Sequence, residues 1–360
     1  MNRAMNLIKV SVPAAALLLT LTSAQAFEFG SGEWSGSLDT TVSYGASWRA
    51  SDLDPDNVGQ AYHDPLVVGL SYLQRREFDL PGKWSVNNDN GNRNYPDAGD
   101  LVAHTFKVTA ELDISRGNLG FFARATAFYD FENVDKDFLP KEADERVGKD
   151  VRLLDLYFWH EAQLGERFLN WRVGRQVVSW GESTFIQGGI NVINPVDVSR
   201  LRVAGAELKE AFEGVNMLWG TIDLTPSLSL EALWMFELRE IIPDPTGTFF
   251  STDDIGTPGA SFVMLGFGAP DQPVINPDLY DEVCVQGNYA ASDSPLPAAL
   301  VAAGCSAAVG RVDGIEASDD GQYGLALRWF VDALNSTEFG FYFLNYHSRL
   351  PVLSGTAVTL

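Results

Sequence analysis

The sequence predicts an all-β protein, an antiparallel transmembrane β-barrel of the outer-membrane type. Three observations lead there: an export signal with no spanning helix after it, long stretches that alternate apolar and polar residues, and connections that alternate short and long.

The first 26 residues set Arg3 and Lys9 ahead of VPAAALLLTLTSAQA, which ends in Ala24-Gln25-Ala26. Charge, a short apolar run and a small-residue cleavage site in that order make a secretory signal peptide, so the mature chain is expected to begin at Phe27. No later stretch approaches the roughly 18 apolar residues of a membrane-spanning helix. Removing Arg3 and Lys9 from the 25 basic residues leaves 23 against 48 acidic ones. That balance argues against a nucleic-acid partner, whose phosphates require Lys and Arg. With 12% aromatic and only 20% charged residues, the chain suits a folded strand protein better than an acidic disordered one.

The clearest strand is WSGSLDTTVSYGASW, residues 34 to 48. Trp34, Leu38, Val42, Tyr44 and Trp48 fall on one face, and Ser35, Ser37, Asp39, Thr41, Ser43 and Ser47 on the other. Fifteen alternating residues with a tryptophan at each end exceed the usual soluble strand of about 5 to 6 residues. They fit a strand running between two aromatic girdles.

Residues 102–114 and 119–131 repeat the pattern. A hairpin turn at Arg116-Gly117 would set Leu112 against Phe121, Val108 against Ala125 and Phe106 against Ala127, with Thr109 meeting Arg124 and Glu111 diagonal to it. Further strands are expected at 152–164, 168–180, 213–224, 228–239, 322–332 and 337–348, nine in all.

Short connections at 116–117, 165–166, 225–227 and 333–336 alternate with long ones at 50–101, 133–150, 181–212 and 240–321. Outer-membrane barrels sort their loops this way, the long ones facing outward. Bacterial barrels have even strand numbers, and LPVLSGTAVTL supplies no closing strand, so the chain is expected to be incomplete at its C-terminus.

A turn at Gly165-Glu166 pairs Ala162 with Leu169, His160 with Trp171, Phe158 with Val173, Leu156 with Arg175 and Leu154 with Val177 on the lipid side. On the lumen side it pairs Glu161 with Asn170, Trp159 with Arg172, Tyr157 with Gly174 and Asp155 with Gln176. Arg175 breaks the lipid row, where an exposed Arg at mid-bilayer costs roughly 2 to 4 kcal/mol. A bulge at Gly174 that turns Arg175 inward is the favoured expectation, and a protein neighbour in place of lipid is the alternative. Residues 181–212 carry GGINVINPVD and GAELKEAF, with Asp197 placed to cap a short helix through Ser199 and Arg202. This segment either folds back into the barrel or packs outside it; both readings stay open.

RVGRQVVSWGESTFIQGGINVINPVD, the following GAELKEAF and the first mature strand resemble the exported family known as domain of unknown function thirteen-oh-two. The resemblance implies an outer-membrane protein of Gram-negative proteobacteria whose members are usually longer. It also implies neighbours of two kinds, an exported protein of lipoprotein-sorting type and a resistance-nodulation-division transporter. It implies no agreed activity.

An enzyme is not expected. Ser183 in Gly181-Glu182-Ser183 lacks the Gly-x-Ser-x-Gly context of a nucleophile elbow. His63, His104, His160 and His347 are scattered, with His104 and His160 on apolar rows, and no metal signature or cofactor motif appears. Cys284 and Cys305 are expected to form a disulfide in the oxidising compartment, with a free pair as the alternative.

What remains is a lumen face of charge and rings. Its pore-lining or constriction candidates are Lys107, Glu111, Arg124, Asp155, Tyr157, Trp159, Arg172, Arg175, Gln176 and Glu182. Charge keeps a channel wet and rings bind apolar surface, so the expected function is a channel or uptake pore for small hydrophobic or amphipathic molecules. The alternative is a non-conducting outer-membrane partner of a periplasmic carrier and its transporter.

Overall fold

The computed structural model describes residues 27–58, 91–134, 136–181, 189–203, 205–251, 256–260, 262–264, 282–283, 286–288, 290, 308–350 and 352–355. The expected signal segment, Glu182 and the expected disulfide cysteines Cys284 and Cys305 lie outside the described residues.

Alternation at period two gives one antiparallel sheet of ten strands. In chain order they are β1 (Phe27–Ser31), β2 (Trp34–Trp48), β3 (Leu101–Arg116), β4 (Leu119–Asp130), β5 (Lys149–Leu164), β6 (Arg167–Gln176), β7 (Val215–Thr225) and β8 (Leu228–Met235). A two-stranded ladder, β9 (Phe262–Met264) with β10 (Ala308–Gly310), intervenes before β11 (Gln322–Val331) and β12 (Thr337–Asn345) complete the sheet. Each strand of the sheet pairs with its neighbour in sequence, β8 passing to β11, and the sheet is not closed: β1 and β12 are its edges.

All nine expected strands are present, and β1 is a tenth that the pattern did not reveal, because five residues are too few to display a period. The expected ends at 180 and 239 are too long for β6 and β8, which stop at Gln176 and Met235. Val178 and Trp180 leave the ladder to pack in a buried apolar cluster with Ile193, Val215, Met217, Leu233, Met235 and Ala326. Side-chain burial there replaces further strand pairing.

The β3–β4 register is shifted from the expected one by two residues. The turn is Gly117-Asn118, so Ile114 meets Phe121, Leu112 meets Ala123, Val108 meets Ala127 and Phe106 meets Tyr129, with Glu111 opposite Arg124 and Thr109 opposite Thr126. Gly117 takes φ +60°, the left-handed value that the first central residue of a type II′ turn needs, and this pins the loop one residue later. An even shift preserves which face each side chain occupies. The β5–β6 register is the expected one, from Leu164↔Arg167 to Leu156↔Arg175.

Register therefore carries one apolar row across the sheet: Ile114, Phe121, Phe158, Val173, Leu218, Trp234 and Tyr323. Parallel rows add Leu325 with Phe343 and Leu327 with Phe341. These side chains are outside, not inside: Trp34, Val42, Tyr44, Trp48, Phe341 and Phe343 are each at least half exposed. The opposite face is polar along β2 to β5 and is covered in part by residues 189–214, as described below.

No bulge occurs at Gly174, and Arg175 stays on the apolar face opposite Leu156. The irregularity lies one strand away, between Arg124 and Ala125, where β5 inserts Leu154 and buries it. Leu154 therefore has no partner at Val177, contrary to expectation. Arg175 Nη1 donates to the Leu153 carbonyl oxygen at 3.2 Å, so the bulge supplies the guanidinium with an acceptor.

Gly174 nevertheless carries a constraint. It sits at φ +128°, and a Cβ there would lie 2.3 Å from the Leu156 carbonyl oxygen. Gly174→Ala is expected to destabilise the folded chain by about 1 to 3 kcal/mol, seen as a lower denaturation midpoint. Gly220→Ala, where the nearest atom would be at an ordinary 3.4 Å, is the control that should hardly move it. Equal midpoints for the two variants would rule this account out.

Candidate functional site

Odd positions of β3 and even positions of β4 bring Lys107, Glu111 and Arg124 to the polar face. The β5 residues beyond the bulge and their β6 partners add Asp155, Tyr157, Trp159 and Arg172. Seven of the ten expected lining residues thus share one surface. Arg175 is on the other face, Gln176 is fully buried and donates to the Met217 carbonyl oxygen at 3.0 Å, and Glu182 is not among the described residues. Gln176 holds the backbone; it lines nothing.

Residues 189–203 and 205–214 pack onto this polar face. Asp197 accepts from the Ser199 backbone N–H at 3.1 Å and caps the 3₁₀ turn Val198–Arg202, as its position suggested. The turn and the short helix Leu208–Ala211 are then fixed by charges. Lys107 binds the Glu210 carboxylate and the Gly205 carbonyl oxygen, and Thr109 Oγ1 donates to Glu210 at 2.5 Å. Lys209 Nζ lies 2.6 Å from Glu111. Arg152 pairs with Asp197 at 2.9 Å and with Glu213, while Arg200 reaches Asp150 at 2.5 Å and Asp197 at 3.3 Å. The Arg200 guanidinium also lies 4.9 Å from the centre of the Phe128 ring.

The first part of the segment is held differently. Ile193 is buried in the apolar cluster, and Asn194 bonds the Val178 N–H and the carbonyl oxygens of Gln176 and Glu213. Buried Arg349 donates to the carbonyl oxygens of Val192 and Ile193. Asn194 is thus a three-way clamp.

Beyond the segment, the polar face keeps a band of rings and ion pairs. Arg124 lies 3.5 Å from Glu111 and 3.4 Å from Asp155. Arg172 stands between Trp159 and Trp219 in register, its guanidinium carbon 4.1 Å from the Trp219 ring centre and 5.3 Å from that of Tyr157. The Trp159 ring rests over Gly120. Glu231 accepts from the indole N–H groups of Trp180 and Trp219 and pairs with Arg328 at 3.1 Å.

Trp180, Trp219, Glu231 and Arg328 were not anticipated, although the same alternation that exposed β3 to β6 places Trp219 and Glu231 on the polar side of β7 and β8. Arg152, Arg200, Glu210 and Glu213 had no signal of their own, because the contacts that join strand to segment through them span 45 to 103 positions. His104 and His160 stand on the apolar rows and are hydrogen-bonded there: His160 accepts from Trp171 at 3.2 Å, and His104 bonds Tyr44 and lies against Phe131. Among the described residues no group of three His, Cys, Asp or Glu side chains is arranged to hold a metal ion.

Burial works to raise the Glu210 carboxyl, but hydrogen bonds from Lys107, Thr109 and the Glu207 backbone prevail and hold it below the usual glutamate range. A lowered folded-state value stabilises the anchored segment at neutral pH. That contribution begins to fade as pH drops through the ordinary glutamate range and is gone below the lowered value. Hydrogen exchange of residues 205–212 should accelerate over that acid window. Glu210→Gln should free the same residues at neutral pH, since removing one partner of a buried pair costs about 3 to 5 kcal/mol. Exchange that ignores both changes would mean the segment is not held by this pair.

No curated protein and no solved structure gives a significant match to this chain. The family model described as "Protein of unknown function (DUF1302)" matches residues 7–360. With nearly its whole length covered by that model, the chain belongs to the DUF1302 family.

Proposed function

We propose that the ten-stranded sheet is wall of an outer-membrane β-barrel, apolar face to lipid and polar face to the lumen, and that the protein is a channel or uptake pore for small hydrophobic or amphipathic molecules. The observation that carries this reading is the exposed apolar face. Rows of exposed Phe, Leu, Val, Trp and Tyr recur on every strand from β2 to β12, a spread of apolar surface that soluble monomers rarely leave open. Strands β2 to β5, at 12 to 16 residues, exceed the roughly 9 to 11 needed to cross the hydrocarbon core.

Arg175 fits this reading without a partner protein. It is the ninth of ten residues from the short turn that precedes β6, near the loop end of the wall. An outward Arg there costs only about 0 to 1 kcal/mol, against 2 to 4 at the midplane. In lipid the edges of β1 and β12 must be paired, with each other or with another strand, because backbone groups cannot be left open in hydrocarbon.

The segment 189–214 narrows the polar face, and the band of Arg124, Asp155, Tyr157, Trp159, Arg172 and Trp219 offers a moving solute alternating charge and ring. The second reading, a sealed barrel that serves a periplasmic carrier and its transporter, draws support from the same segment, since its ion pairs are buried.

Three measurements test the proposal. Full-length protein in planar bilayers should conduct, and proteoliposomes should swell in amphipathic solutes; a barrel that stays sealed while copurifying with a periplasmic carrier would sink the pore reading in favour of the second. Arg175→Ala should leave conductance as it was, because the side chain faces away from the lumen. Leu325→Arg should lower stability in lipid by about 2 to 4 kcal/mol; an unchanged unfolding midpoint would show that this face does not meet lipid.

A further inference from the structure

We propose that Arg172 is an anion seat, which takes the carboxylate of an amphipathic molecule while the surrounding rings hold that molecule's apolar body. This deepens the pore reading, on which it rests, by naming the class of solute. The ground for it is that Arg172 is charged, walled by rings and uncommitted.

Every other cation of the polar strand face already has an acid. Lys107 has Glu210, Arg124 has Glu111 and Asp155, Arg152 has Asp197 and Glu213, and Arg328 has Glu231. Among the described residues Arg172 has no carboxylate within 4.0 Å, and its guanidinium donates no hydrogen bond; its Nε is buried without a partner. Its contacts are with the rings of Trp219 and Tyr157. Cation–π contact uses the charge of a guanidinium and leaves its N–H donors unspent. A desolvated donor with no acceptor is costly, and an incoming oxygen removes that cost.

The surroundings select the kind of anion. A guanidinium presents parallel N–H groups that match the two oxygens of one carboxylate. Glu231 is paired with Arg328 and Asp155 with Arg124, which it shares with Glu111, and the Arg172 charge also acts on Asp155, so the seat has at most a single positive charge to offer. A monoanion suits it and a phosphate dianion does not. The rings are also set in advance, since the Trp219 indole N–H is tied to Glu231 and the Trp159 ring to Gly120. An aliphatic or aromatic body lying along them loses little freedom that the protein has not already given up.

The test uses octanoate and its uncharged isostere 1-octanol, titrated into the full-length protein in non-ionic detergent and followed by tryptophan fluorescence and calorimetry. Octanoate should bind more tightly than octanol to the wild type. Arg172→Gln should weaken octanoate by about 10- to 100-fold, the range for a charged hydrogen bond, and leave octanol unaffected. Arg172→Lys, which keeps the charge and loses the fork, should fall between them and guards against a merely unfolded variant. Equal octanoate affinity in wild type and Arg172→Gln, or equal affinity of the wild type for octanoate and octanol, overturns the seat. Parallel bilayer recordings separate the two claims. Arg172-dependent binding by a non-conducting barrel keeps the seat and removes the pore, while conduction with Arg172-independent binding does the reverse.

Discussion

The exposed apolar face is the constraint from which the other features follow. A strand that must present Phe, Leu and Trp on one side at every second residue cannot slip by one position, since a single slip would exchange the two faces. The β3–β4 pair lies two residues from the pairing expected for a turn at Arg116-Gly117, and the face is untouched. At Leu154 the chain inserts one extra residue, yet Val151 and Leu153 before it and Leu156 and Phe158 after it all remain on the apolar side. The bulge thus corrects the parity of β5, and the carbonyl it frees becomes the acceptor for Arg175.

Much of this was legible because facing is a local property. Alternation in WSGSLDTTVSYGASW, and in the segments after it, is enough to say which side chains share a surface, and seven of ten lining candidates do share one. Register through Gly165 was equally local: a glycine-first two-residue turn leaves one way to pair the flanking strands. Arg175 was the informative failure. Its position in the apolar row was read correctly, and the bulge was then placed at Gly174 because glycine often marks one. The bulge belongs instead to Leu154, whose sequence neighbourhood, Leu153-Leu154-Asp155, gives no warning.

The covering segment was only half legible. Asp197 as a cap could be read from its neighbours, since the interaction spans two residues. Where the capped turn docks is a different kind of question. Lys107 and Glu210, or Arg152 and Asp197, are each ordinary charged residues in their own stretch, and only the fold brings them together. The apolar half has the same character: Ile193 looks like one more residue of an irregular loop until Val178, Trp180 and the inner sides of β7, β8 and β11 close around it.

The two halves of that segment are held by forces of different kinds, and this bears on what the segment can do. Near residue 193 the hold is apolar burial with three amide hydrogen bonds from Asn194, which depends little on pH or salt. From 197 to 213 it is a chain of ion pairs, each of which trades a desolvation cost against a Coulomb gain and is lost when one member is neutralised. The ionic half also lies beside the rings and Arg124, where Lys209 and Glu111 meet. Loosening it would uncover polar face while the apolar half kept the segment attached. Pro195 and Val196, between the two halves, are held by backbone instead, their carbonyl oxygens accepting from the N–H groups of Glu213 at 2.8 Å and Ile242 at 3.0 Å. The two halves therefore answer to different conditions, the ionic half to acid and salt and the apolar half to neither.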